Sequence, residues 1–183
     1  MTDHGDVLMA EYTALKAEQL ARIGTRDNLL YATLAAIGGI LAAALTARQP
    51  ACLLLVPPAC VILGWTYLVN DLKISAIREY VAADLAPQVA ALAGGPAFGW
   101  EYAHLADPLY AARRAGHLAV DLLAFAAAPA AAIAVCLAVY SGPVLAVAAM
   151  FAVAAAETAG IAVMARQITR CYIRFPVSAG GAS

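Results

Sequence analysis

Residues 29–47 read LLYATLAAIGGILAAALTA, 19 positions without a charge, entered from Asp27-Asn28 and left through Arg48-Gln49-Pro50. A helix rises about 1.5 Å per residue, so such a run just crosses about 30 Å of hydrocarbon; it is predicted to be a first membrane span, TM1. Beyond it, Ala51–Val69 is again uncharged and closes at Asn70-Asp71-Leu72-Lys73, which predicts a second span, TM2. The turn between them is only a few residues long, so residues 28–70 read as a hairpin. A second hairpin over 118–165 consists of TM3 (Leu118–Tyr140, with Asp121 one turn inside) and TM4 (Pro143–Ala165, interrupted by Glu157). Tyr140-Ser141-Gly142-Pro143 between them is a tight turn by residue type.

Composition agrees with a bilayer as solvent. Of 183 residues, 64% are hydrophobic and 13% charged, and the mean hydropathy is +0.79. A soluble domain carries about 25% charged residues to cover its surface. A net charge of -1 without a basic run excludes a nucleic-acid binder. The four cysteines lack metal-ligand spacing and no His/Cys cluster accompanies them, so no metal or other cofactor is expected. There is no GxSxG, no HExxH and no glycine loop opening a helix, so no enzyme is expected. Cys52 and Cys136 fall near the outer ends of TM2 and TM3, where a disulfide is weighed against the stronger reading of free thiols.

Orientation follows from the cations, which are retained on cytoplasmic flanks. Ten of the 11 Lys and Arg residues flank one side and Arg48 alone the other. Both termini are therefore expected in the cytoplasm. The N-terminus carries acids before any base and no apolar core until residue 28, so TM1 is expected to be an uncleaved anchor.

Three cytoplasmic segments are predicted: an amphipathic helix within 1–27, helices and a linker over 71–117, and a tail over 166–183. In the first, residues 8–25 set Leu8, Tyr12, Leu15 and Ile23 against Glu11, Lys16, Glu18 and Arg22, with Glu18 and Arg22 at i,i+4. In the second, Ile74, Ile77, Val81, Leu85, Val89 and Leu92 step by three and four opposite Lys73, Arg78, Glu79 and Asp84. Gly94-Gly95-Pro96 stops that helix, and Asp107-Pro108 reads as the N-cap and first residue of the next. A faint internal repeat at offsets of 90 to 94 pairs Glu11-Tyr12 with Glu101-Tyr102, Asp27 with Asp121, and Tyr80 with Tyr172. Each copy holds two crossings, which makes the repeat parallel.

The intramembrane polar groups are the candidate site residues. A carboxylate at the centre of a span costs on the order of 3 kcal/mol, so Glu157 is expected to face protein or water. It is read either as a pore-lining or proton-relay group or as a hydrogen-bonded residue between helices. Asp27, Asn70, Asp71 and Asp121 crowd one interface, where a ring of acids concentrates cations at a pore mouth; helix capping is the plainer reading. Ala148, Ala152, Ala156 and Gly160 form a small-residue row that lets a neighbouring helix approach closely, either TM1 with its Ala35, Gly39 and Ala43 or another subunit. Pro57-Pro58 and Pro129 are candidate kinks, and Trp65, Tyr67, Trp100 and Tyr102 read as interfacial or packing aromatics.

Glu18-Gln19-x-x-Arg22-Ile23-Gly24-x-Arg26-Asp27-Asn28-Leu29-Leu30-Tyr31, Leu63-Gly64-Trp65-Thr66-Tyr67-Leu68-Val69-Asn70-Asp71-x-Lys73-Ile74 and Phe98-Gly99-Trp100-Glu101 together resemble a family of small uncharacterised bacterial integral membrane proteins. The likeness runs over about residues 11–125 and carries no activity with it. More distantly, the order of amphipathic helix, hairpin and cytoplasmic helix is similar to SLATT-type membrane effectors of prokaryotic conflict systems. That resemblance implies oligomerisation and pore formation, and the second hairpin departs from it. The resulting expectation is an all-α, four-span protein acting as a homo-oligomeric channel or membrane-disrupting effector. The alternative is a non-conducting anchor that recruits a cytoplasmic protein through the apolar stripe of Ile74, Ile77, Val81 and Leu85; a small carrier is third.

Overall fold

The computed structural model describes residues 4–99 and 109–174, and among these it contains helices and turns but no strand. Four helical rods are long and apolar enough to cross a membrane: His4–Ala47, Pro50–Ala93, Ala112–Val139 and Val144–Ile173. Their outer faces are apolar, with Val144 87%, Leu145 83%, Leu45 70% and Ile62 67% exposed. Apolar surface on that scale is the mark of a face that meets lipid or another protein.

The first rod is one helix, α1 (His4–Ala47). The amphipathic segment expected at 8–25 and the span beginning at Leu29 are joined without a break through Arg26-Asp27-Asn28. The reason is that a helix satisfies its own backbone, so it can pass from water into lipid wherever no breaker intervenes. The only glycine near the expected boundary is Gly24, and the side chains around it are tied locally: Arg22 to Glu18, and Thr25 Oγ1 to the Ala21 carbonyl at 3.0 Å. At 44 residues α1 is about 66 Å long, roughly twice the hydrocarbon thickness.

A tight turn ends α1. Gln49 N–H donates to the Ala44 carbonyl at 3.1 Å and Arg48 N–H to the Leu45 carbonyl at 3.3 Å, the paired bonds of a Schellman motif. Arg48 occupies its left-handed position with φ 53°, where a β-carbon costs about 1 kcal/mol. Arg48→Gly is therefore expected to raise stability by about 0.5 kcal/mol, because glycine's lost unfolded-state entropy offsets part of the relieved strain. A thermal midpoint in detergent that falls instead would show that the arginine side chain contributes more than its backbone costs.

The second rod opens with a 3₁₀ turn, Pro50–Leu55, followed by α2 (Val56–Tyr80). Pro57 and Pro58 thus stand in the first turn of α2, where a missing N–H is tolerated, and not at a kink within the span. A π turn at Val81–Leu85 leads into α3 (Ala86–Ala93), which ends at left-handed Gly94 with φ 69°. The third rod has the same device: α4 (Tyr110–Leu122), a π turn at Leu123–Ala127, and α5 (Ala128–Val139). In each π turn an N–H reaches back five residues, Ala86 to Val81 and Ala128 to Leu123. In each a proline follows one residue later, Pro87 or Pro129. Proline clashes with the carbonyl four residues back, and the widened turn moves that carbonyl aside. The fourth rod is α6 (Val144–Arg174). In α1, the residues that the sequence repeat matches to Leu123–Ala127 are ordinary α-helix. The repeat's Glu101-Tyr102 and the Asp107-Pro108 cap lie outside the described residues.

Contacts define the packing. Ala44 meets Leu53, Arg26 meets Asp71, and Glu11 meets Tyr80, so α1 and the second rod run side by side in opposite directions. Cys136 meets Met150 and Asp121 meets Tyr172, so the third and fourth rods do likewise. The second rod is central: it packs against α1, α5 and α6, whereas α1 leans chiefly on α2. Phe125, Tyr67, Leu68, Ala124, Met164, Ile168 and Cys171 form the largest buried cluster. Gly64 allows it to close, since a β-carbon there would sit 2.8 Å from Phe125 Cδ1.

Candidate functional site

At the far end from the α1 turn, where the charged residues gather, polar side chains from all four rods form neighbouring hydrogen-bonded groups. Asp121 of α4 is 2% exposed. It accepts Tyr67 Oη of α2 on Oδ1 at 2.8 Å and Tyr172 Oη of α6 on Oδ2 at 2.8 Å. One carboxylate thus ties three helices. Beside it, Asp71 of α2 accepts Arg26 Nη1 of α1 at 3.3 Å and Cys171 Sγ of α6 at 3.8 Å. Asn70, also buried, donates through Nδ2 to the Arg22 carbonyl of α1. Arg114 of α4 donates to the Tyr172 carbonyl and lies over its ring, 5.5 Å from the centroid.

The acids expected at this interface have different partners. Asp71 and Asp121 are satisfied by donors within the chain, while Asp27, half exposed, pairs with neighbouring Arg26 at 3.3 Å. Exposed pairs such as the last contribute little to stability, about 0–1 kcal/mol. Asp121 with its two phenols is different, because hydrogen bonds to a charged acceptor contribute about 1.5–3 kcal/mol each. Tyr67, read from sequence as a packing aromatic, and Tyr172 are the residues that sequence reasoning missed. The available signal was Asp121 itself: an acid one turn inside a span requires donors, and a tyrosine at similar depth supplies one.

Next to the network is a cavity of about 280 Å³. Arg26 enters it from α1; Asp71, Ile74, Ser75 and Arg78 from α2; Arg113, Arg114 and His117 from α4; and Cys171 and Tyr172 from α6. Among these residues four guanidinium groups face a single carboxylate.

The apolar stripe of α2 and α3 is covered at its middle, while Leu92 at its end is 57% exposed. Val81 is 1% and Leu85 0% exposed, sealed against Leu8 of α1, with Tyr12, Leu15, Ile77, Val89 and Phe98 packed around them. Phe98 stacks on Tyr12 with centroids 4.0 Å apart, and Tyr80 Oη donates to Glu11 at 2.7 Å. Ile74 turns toward the cavity instead. A stripe must be buried against something, and here the amphipathic part of the same chain covers it. Val81 and Leu85, two of the residues expected to face a partner, are thereby occupied within the chain.

Glu157 lies midway along α6, partly buried, and its Oε2 is the one buried side-chain oxygen or nitrogen among the described residues without a hydrogen-bond partner. The small-residue row beside it is mostly open: Ala148, Ala152 and Ala156 are exposed, and a β-carbon at Gly160 would sit 3.7 Å from Val61 of α2. Ala35, Gly39 and Ala43 of α1 are exposed as well, so the two small-residue rows do not pack on each other within the chain. All four cysteines are free thiols, although Cys52 packs against the cluster that holds Cys136. Among the described residues no cluster of His, Cys, Asp or Glu has metal-binding geometry. Trp100, Tyr102 and His104 lie outside the described residues. Comparison of the chain with protein-family models, curated proteins and solved structures returns no match.

Proposed function

We propose that the chain is a multi-pass protein of the bacterial inner membrane, with both termini in the cytoplasm, whose copies associate into a channel or membrane-disrupting assembly. Its spans form two hairpins, α1 with α2 and the third rod with α6. The observation that carries this reading is Glu157: a carboxylate oxygen buried mid-span without a partner calls for one from outside the chain, whether another subunit or a water-filled path. The open small-residue rows on α1 and α6 support association, since close backbone approach is what drives helix pairing in lipid. Oligomerisation and pore formation are also what the similarity to SLATT-type effectors implies.

The test is ion flux from proteoliposomes, with mass photometry of the same samples. The wild-type protein is expected to form oligomers that leak ions, and Glu157→Gln to change the leak by about tenfold or more at equal insertion. Gly39→Leu and Ala152→Leu, at positions exposed in the single chain, are expected to reduce oligomer size. A stable, well-inserted oligomer with no flux overturns the channel reading, and a monomer unaffected by either leucine overturns the association.

A further inference from the structure

We propose that the π turn at Leu123–Ala127 is a register switch, through which α4 rotates between the state described above and a second one that withdraws Asp121 from Tyr67 and Tyr172. The turn begins two residues after Asp121, and its defining bond runs from Ala128 N–H to the Leu123 carbonyl. Asp121 and Ile133, buried on either side of it, are 12 residues apart. In an unbroken α-helix, at about 100° per residue, they would point about 120° away from each other. A π turn takes up one extra residue, which brings the two to within about 20° on one face. The buried residues Pro129, Ile133 and Cys136 hold α5 in place. Closing the π turn to an α turn must therefore rotate α4 by about 100° and shift it by about 1.5 Å along its axis.

Two features make the second state accessible. The first is that α4 is lightly anchored: over its described residues 112–122, Asp121 alone is buried, and Leu118 and Leu122 only half so. Its rotation is fixed by polar ties, the two phenols on Asp121 and the bond from Arg114 to the Tyr172 carbonyl. Segments with few buried apolar contacts are the ones that move at low cost. The second is that the sequence of α4 carries two packing faces one residue apart. Arg114, Leu118 and Asp121 face the bundle now; after the turn Ala115, Ala119 and Leu122 stand in their places, an apolar set at the helical spacing that suits burial. Asp121 then takes the place of Val120, which is 47% exposed. Each state meets its own demands, with donors for a buried carboxylate in one and an apolar face with an exposed carboxylate in the other. Pro129 sets the balance, because its ring clashes with the Phe125 carbonyl in a straight helix and so favours the π turn. The switch is a property of the single chain and stands whether or not copies associate.

The experiment labels full-length protein in detergent micelles with a lipid-soluble carbodiimide and reads each carboxyl by peptide mass spectrometry, with exposed Asp27 as the reference. Pro129→Ala removes the clash and is expected to raise the labelling rate of Asp121 about tenfold while Asp71 on α2 stays unchanged. Ala119→Arg, at a position exposed now and covered after the rotation, should return Asp121 to the wild-type rate in the Pro129→Ala background. An Asp121 rate unmoved by Pro129→Ala overturns the proposal, as does a rise that Asp71 shares or that Ala119→Arg leaves in place. Should Pro129→Ala fail to insert, the wild type decides: its slow labelling of Asp121 is expected to fall about threefold or more with Ala119→Arg alone, and a rate that does not fall overturns the switch.

Discussion

Replacing Asp121 by alanine is expected to lower the stability of the bundle by about 3 kcal/mol or more, one of the two largest effects that the packing predicts. Hydrogen bonds between helices in lipid average only about 0.6 kcal/mol when measured by double-mutant cycles. Here the acceptor is a carboxylate that takes two phenolic donors, and bonds to charged acceptors run about 1.5–3 kcal/mol each, so the charged case outweighs the neutral average. Asp121→Asn keeps the shape and one acceptor, and is expected to cost about half as much. Tyr67→Phe with Tyr172→Phe leaves a buried carboxylate without either donor and should cost more than the sum of the single changes. Adding Asp121→Leu to that pair removes every polar partner together and should recover most of the loss. Denaturant titration in detergent micelles measures the series; an alanine variant as stable as wild type would rule out the network as the clamp at this end.

The second large effect is at Gly64. Phe125 is fully buried against Tyr67, with ring centroids 5.1 Å apart, so its ring cannot yield to a side chain whose first carbon would already sit 2.8 Å away. Glycine to alanine in an open helix gains about 1 kcal/mol, and Gly116→Ala, which meets no atom within 4 Å, should show that gain. Gly64→Val is expected to lose about 2–3 kcal/mol through overpacking despite its better helix propensity. Phe125→Ala alone should cost about 3–5 kcal/mol by opening a cavity. Combined, the two changes should cost less than their sum by about 1 kcal/mol or more, because the valine fills what the ring vacates. Strict additivity would mean that the two positions do not meet.

The spans were legible because long uncharged runs have few alternatives, and each lies along one of the helical rods of the structure. Their continuity was not. Arg26-Asp27-Asn28 reads as a boundary by polarity, yet polarity changes the solvent and leaves the hydrogen-bond ladder intact, so α1 continues through it. The π turns were half legible: Pro129 was marked as a kink, but the local answer was a wider turn, and the same answer recurs before Pro87. The Asp121 network joins residues 54 and 51 positions apart, a pairing that no local pattern encodes. Within Ile74–Leu92 the need for a cover was visible, and at Val81 and Leu85 Leu8 of the same chain supplies it.

The unbroken length of α1 has a mechanical consequence. On the proposed topology, residues 4–28 continue the membrane-embedded part as a stiff arm about 37 Å long, attached along its side to the α2–α3 rod and bearing no hinge of its own. A tilt of about 5° where the helix enters the hydrocarbon would swing the far tip by about 3 Å. Leverage of this kind also works in reverse: a small push on Leu8 and its neighbours, delivered through Val81 and Leu85, becomes torque on the helix within the bilayer.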